Sequence, residues 1–154
     1  MASTKKKTAP PDAIQLLKQD HKKVLELLEQ FETATGARRT KLLTQIDTEL
    51  EIHTTIEEEI FYPAYREAAR RKDDQTMYYE AIHEHRHAKM AMSEAGDGEN
   101  NEELKAKAKV LKELVEHHAE EEEKDMFPRA KQLLDRDELK ELGARMQQRK
   151  EELM

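Results

Sequence analysis

Two segments of this sequence repeat one pattern: residues 53–63 read HTTIEEEIFYP and residues 118–128 read HAEEEEKDMFP. Each carries a histidine, a glutamate four residues later, an aromatic residue and then a proline. At about 100° per residue, positions four apart share one face of a helix, and in both segments that face is apolar. Leu42, Ile46, Leu50, Ile56 and Ile60 draw the stripe that contains His53 and Glu57, while Leu111, Leu114 and Val115 draw the stripe that His118 and Glu122 continue. A carboxylate buried charged and alone costs several kcal/mol, so it demands a cation, a proton or a strong partner. The chain must therefore bring two helices together around something that neutralises two glutamates.

Two further stripes each have a histidine at their centre. Ile14, Leu17, Val24, Leu25 and Leu28 flank His21, and Tyr78, Ala81, Ile82, Ala88 and Met92 cluster around His85. His83 and His87 have tempting i, i+4 spacing but fall on the opposite side with Glu80 and Arg86, and His117 sits at the edge of its stripe. The inward set is thus His21, His53, Glu57, His85, His118 and Glu122. Four helical segments are predicted, roughly 13–33, 38–62, 75–95 and 102–127, separated by Gly36, Pro63 and the stretch AGDGENN, with both prolines read as stops. A fifth runs from about Asp135 to Leu153, with Leu139, Leu142, Met146 and Leu153 on one stripe that packs outside the bundle or on a partner. With 40% charged residues but only 4 Gly and 4 Pro, helix is favoured throughout. The expected fold is all-α: an up-down-up-down four-helix bundle over 13–134, an accessory C-terminal helix over 135–154, and a disordered basic tail over 1–12.

The chain has no cysteine, so a thiolate metal site, an iron-sulfur cluster and a disulfide framework are all excluded. Imidazole with carboxylate suits iron, zinc or manganese, with iron preferred, and the lack of cysteine fits a reducing cytoplasm. The net charge of -7 opposes nucleic-acid binding, and Lys5, Lys6 and Lys7 are too short a run to reverse it. The absence of any apolar stretch near the roughly 20 residues of a membrane span predicts no membrane association. The basic start has no apolar region behind it to make it a secretion signal. No nucleophile with a matched base stands out, which disfavours hydrolysis. Four histidines and two bridging glutamates fill about eight of roughly twelve positions on two octahedral ions, and an oxo or hydroxo bridge takes about two more. About two positions then stay open for oxygen, peroxide or nitric oxide, by the same count. Tyr62, Tyr65, Tyr78 and Tyr79 lie within reach of such a centre but read as packing residues.

These residues resemble the hemerythrin and HHE cation-binding family, from about Ile14 through LGARMQQRKEEL of the last helix. The family's first-helix histidine matches His21 in KQDHKKV, and its second-helix pair matches His53 and Glu57 before FYP. Its third-helix EH matches Glu84 and His85, and its fourth-helix pair matches His118 and Glu122 before FP. The resemblance implies a di-iron site with carboxylate bridges and uses ranging from reversible oxygen binding to peroxide handling, nitric oxide response and iron sensing. Oxygen-carrying members use two histidines four apart on the third helix, and a histidine followed five later by aspartate on the fourth. The inward faces here carry neither: His83 with His87 serves only if the third helix turns by about half a turn, and Glu123 stands where the aspartate is expected. The iron-sulfur repair relatives commonly add a cysteine-containing region, which this chain lacks. Three readings follow: a small-ligand binder, an enzyme consuming peroxide or nitric oxide, and an iron sensor or store in which the metal orders the bundle.

Overall fold

The structure, a computed structural model, describes residues 9–154, which form helices and no strand. The first part of the expected basic tail, residues 1–8 with Lys5, Lys6 and Lys7, lies outside the described residues. Helix α1 (Ala13–Thr33) opens with a capping box: the Asp12 carboxylate accepts from the Gln15 backbone N–H at 2.8 Å, and the Gln15 side chain accepts from the Asp12 N–H at 3.1 Å. Helix α2 (Gly36–Ile56) begins on a residue with φ of 58°, a left-handed conformation that glycine adopts without steric cost. It runs through a widened π turn, Glu57–Phe61, into α3 (Tyr62–Ala68). Helices α4 (Lys72–Glu94) and α5 (Asn101–Glu121) follow, and a second π turn, Glu122–Met126, leads into α6 (Phe127–Leu133). Helix α7 (Arg136–Leu153) closes the chain, capped by Asp135.

The two prolines expected to stop helices do not stop them. Pro63 and Pro128 each lie in the first turn of a helix that continues for more than another turn, to Ala68 and Leu133. A proline inside an α-helix lacks the N–H donor, and its ring strikes the carbonyl four residues back. In both places the turn just before it closes with a longer bond, from the Tyr62 N–H to the Glu57 carbonyl and from the Phe127 N–H to the Glu122 carbonyl. That wider turn moves the backbone out of α register and accommodates the ring. The pseudo-repeat seen in the sequence is therefore a repeat of backbone geometry as well.

Helices α1, α2, α4 and α5 form an antiparallel bundle, in which α1 packs on α2 and α5, and α4 packs on α5. Its core is divided. One apolar cluster joins Ile14, Leu17, Ile56, Phe61, Ala81 and Phe127, and another joins Val24, Leu28, Phe31, Ile46, Leu111 and Val115. On every bundle helix the break between them falls at a buried histidine: His21, His53, His85 and His118. A polar layer thus crosses the bundle at one level. Helix α7 lies across α1 and α2, and its Leu139, Leu142 and Met146 belong to the first cluster. Gly143 permits that crossing, because a Cβ there would stand 2.6 Å from the Pro11 carbonyl oxygen. The flank of α1 under α7 is buried too, which explains why Leu16 and Asp20 are covered although they lie off the expected stripe. Among the described residues no helix is long and apolar enough to cross a membrane.

Candidate metal centre

All six residues singled out by periodicity are buried and meet in the polar layer. Their ligand-type atoms form two trios, His21 with His53 and Glu122, and His85 with His118 and Glu57. Glu57 Oε1 lies 2.8 Å from His53 Nε2 and 3.2 Å from His85 Nε2. Glu122 Oε1 lies 3.1 Å from His21 Nε2 and 3.0 Å from His118 Nε2. Each carboxylate therefore touches one histidine of each pair, and the two histidine pairs match in geometry. The rings of His21 and His53 are 4.9 Å apart at 66°, and those of His85 and His118 are 4.7 Å apart at 67°.

These separations suit ligands sharing a metal ion as well as they suit hydrogen bonds, and the atoms left unpartnered favour the ion. Neighbouring ligands on an octahedral ion about 2.1 Å away are about 3.0 Å apart, the spacing seen between the inward nitrogens and oxygens. Glu57 is 0% exposed, yet neither of its oxygens has a properly directed hydrogen bond, and neither does His53 Nε2. Unpaired buried groups of this kind are costly. Burial alone raises the Glu57 carboxyl, but the His53 charge and the polar groups around it hold it well below the ordinary carboxylate value. Likewise burial pulls the His53 imidazole down, but Glu57 and Asp20 outweigh it and lift it to about 10. The pocket is built to keep Glu57 charged, and a cation beside it satisfies that demand.

Behind each histidine stands a second carboxylate. His53 Nδ1 and Asp20 Oδ2 are 3.1 Å apart, as are His118 Nδ1 and Glu84 Oε1. Glu123 and Glu58 stand farther off, 3.5 Å from His21 Nδ1 and 3.8 Å from His85 Nδ1, and make no hydrogen bond to them. A carboxylate on Nδ1 fixes the tautomer that leaves Nε2 free as a ligand, the usual support of a metal-bound histidine. Lys150 of α7 pairs with Asp20. Burial raises the Asp20 carboxyl, but its bonds to His53 and Lys150 bring it below its ordinary value.

Tyr62 enters the centre as well. Its hydroxyl donates to Glu122 Oε2 at 2.9 Å and lies 3.1 Å from His85 Nε2. Burial, with the charges of Glu122 and Glu57, pushes this phenol well above its ordinary value, so it remains a proton donor. At the equivalent place after the second π turn, Phe127 instead stacks on His21, with ring centroids 5.9 Å apart at 6°. Tyr62 is thus more than the packing residue that the sequence suggests, and Asp20, Glu58 and Glu123 join the surroundings of the centre without standing out on any apolar stripe. A signal for these partners was present: an acid directly precedes His21 and His85, and another directly follows Glu57 and Glu122. Tyr65 and Tyr79 stay outside the centre, and Tyr78 packs edge-on against the far side of Tyr62. His83, His87 and His117 are exposed.

The family model described as Hemerythrin HHE cation binding domain matches residues 12–130. The chain belongs to this hemerythrin family. A crystal structure of a hemerythrin HHE cation binding domain-containing protein from Mycobacterium kansasii is 28% identical to it, with a TM-score of 0.80, covering 93% of this chain and 87% of that one. No curated protein matches the chain. The hemerythrin fold and the two buried His/Glu trios together assign this polar layer to metal binding.

Proposed function

We propose that the chain is a non-haem di-iron protein whose ions are held by His21, His53, Glu57, His85, His118 and Glu122, and that it binds or reacts with oxygen, peroxide or nitric oxide. The observation that carries this reading is the placement of each glutamate between the two histidine pairs, as a carboxylate bridging two ions requires. Four imidazoles, two carboxylates and no thiolate favour iron over a structural zinc. When bound, the iron pair supplies reversible one- and two-electron chemistry and open positions for a small ligand. The protein's part is to keep the six donors converged, to hold the Nδ1 atoms of His53 and His118 on Asp20 and Glu84, and to keep one proton on Tyr62 Oη beside Glu122.

Access for a small molecule supports the same reading. An apolar chamber of about 20 Å³, lined by Val24, Leu50, His53, His85 and Val115, lies against the centre, which is room for one water-sized or diatomic guest. A larger surface hollow between α2 and α4 adjoins it and shares Leu50, Thr54, His85 and Ala88, so these residues separate the chamber from the surface there. A sensing role has one observation in its favour: Lys150 of α7 pairs with Asp20, which supports His53, so the centre is tied to the C-terminal helix. The test is the optical spectrum of the iron-loaded chain before and after oxygen, peroxide and nitric oxide are added separately. At least one should change the iron absorption; no change with any of the three contradicts the proposal.

A further inference from the structure

Helices α4 and α5 bring a second set of ligand-type side chains together on the outside of the bundle. His83 and His87, the pair that the buried centre does not use, line a shallow surface hollow with Glu80, Glu84, His117 and Glu121. Within it His117 Nε2 lies 3.0 Å from Glu121 Oε1 and 3.6 Å from Glu84 Oε2. Ligands sharing one ion at about 2.0–2.1 Å stand about 3.0–3.4 Å apart in a tetrahedral or octahedral shell and up to about 4.2 Å when opposite, so His117 with either carboxylate is within the range that an ion can span. His117 and Glu121 alone are an exposed i, i+4 pair, an arrangement that requires no ion and stabilises little. The third group changes that. Glu84 comes from the neighbouring helix, is only 20% exposed, and is fixed by its other oxygen, 3.1 Å from His118 Nδ1. Its free oxygen converges with the ligand atoms of His117 and Glu121, all three lying within 4.8 Å of one another. Two converging carboxylates with an imidazole beside them are relieved by a cation.

We infer that Glu84, His117 and Glu121 form an outer metal site, distinct from the buried centre, that takes one divalent transition-metal ion such as zinc or ferrous iron. The imidazole favours such an ion over magnesium or calcium. His117, 65% exposed, leaves the bound ion open to solvent, with water completing its shell. One carboxylate, Glu84, stands between the outer site and the buried histidine His118.

The test is equilibrium dialysis of the iron-loaded full chain against zinc, with zinc and iron both measured, for the wild type and for His117→Ala with Glu121→Gln. Iron content reports on the buried centre and additional zinc on the outer site, so the two readings fail separately. The wild type should take up about one zinc ion per chain beyond its iron. The double variant should lose about tenfold or more in zinc affinity, with iron content and helical circular dichroism unchanged. Should helicity fall, the isosteric Glu121→Gln alone carries the same expectation. The inference is overturned by a wild-type chain that takes no zinc beyond its iron, by zinc bound only as iron is lost, or by variants that bind zinc as tightly as the wild type.

Discussion

The two halves of the bundle present the same donors in different surroundings. The first half supplies Asp20, His21, His53, Glu57 and Glu58, and the second supplies Glu84, His85, His118, Glu122 and Glu123, each in the corresponding place. Even the π turns and the prolines after them correspond. The match ends outside the donors. Tyr62 reaches into the centre where Phe127 only stacks, and Asp20 is held by Lys150 while Glu84 faces His117 and Glu121. Under the proposed di-iron reading two equivalent ions need equivalent ligands, so the His/Glu layer repeats while the groups around it are free to differ. The asymmetry therefore marks where the chain does more than hold metal.

The largest effect expected is also the most symmetric. Glu57→Ala and Glu122→Ala should each lose most of the iron, whereas Glu58→Ala and Glu123→Ala should keep it, as measured by iron content after purification. Strongly unequal losses from the first two would break the equivalence of the halves. Next, His85→Ala should weaken iron binding by about tenfold or more, while His83→Ala with His87→Ala should leave the iron spectrum unchanged. The reverse result means that α4 is rotated and that the oxygen-carrier spacing holds after all.

Smaller losses should sharpen the contrast. Asp20→Ala and Glu84→Ala each remove an Nδ1 partner and should cost about tenfold in iron affinity. Only Asp20→Ala should also speed hydrogen exchange in α7, because it alone releases Lys150. Tyr62→Phe makes the first half resemble the second and leaves Glu122 Oε2 without its donor, so the metal-free chain should lose about 2 kcal/mol of stability to denaturant. No change would reduce Tyr62 to a packing residue. The mildest effect concerns pH. His53 in the metal-free fold is lifted from 6.5 to about 10 by Glu57 and Asp20, against its burial. A raised value means that protonated His53 stabilises the fold fully below about 6.5 and loses that contribution as pH rises through about 10. The denaturation midpoint of the metal-free chain should fall across that window and that of the iron-loaded chain should fall less; a midpoint that climbs with pH contradicts the assignment.

The buried His/Glu layer was legible in the sequence because an α-helix repeats every 3.6 residues: a histidine on an apolar stripe has one direction to point. His85 was separable from His83 and His87 on that ground alone. The supporting shell was harder to read, since Asp20 looks like a surface residue until α7 is laid over it. Tyr62 was hidden for a related reason. Its direction depends on the π turn just before it, and a count of 100° per residue assumes that no such turn exists. The prolines misled in the same way: each reads as a helix stop unless the preceding turn is widened.

The central claim is that the polar layer holds a pair of iron ions, and the iron-to-chain ratio tests it most directly. Chain produced with iron, or loaded with ferrous iron without oxygen and then desalted, should carry about two iron ions per molecule, falling sharply in Glu57→Ala. A ratio near zero, or tight zinc with no iron, contradicts the account.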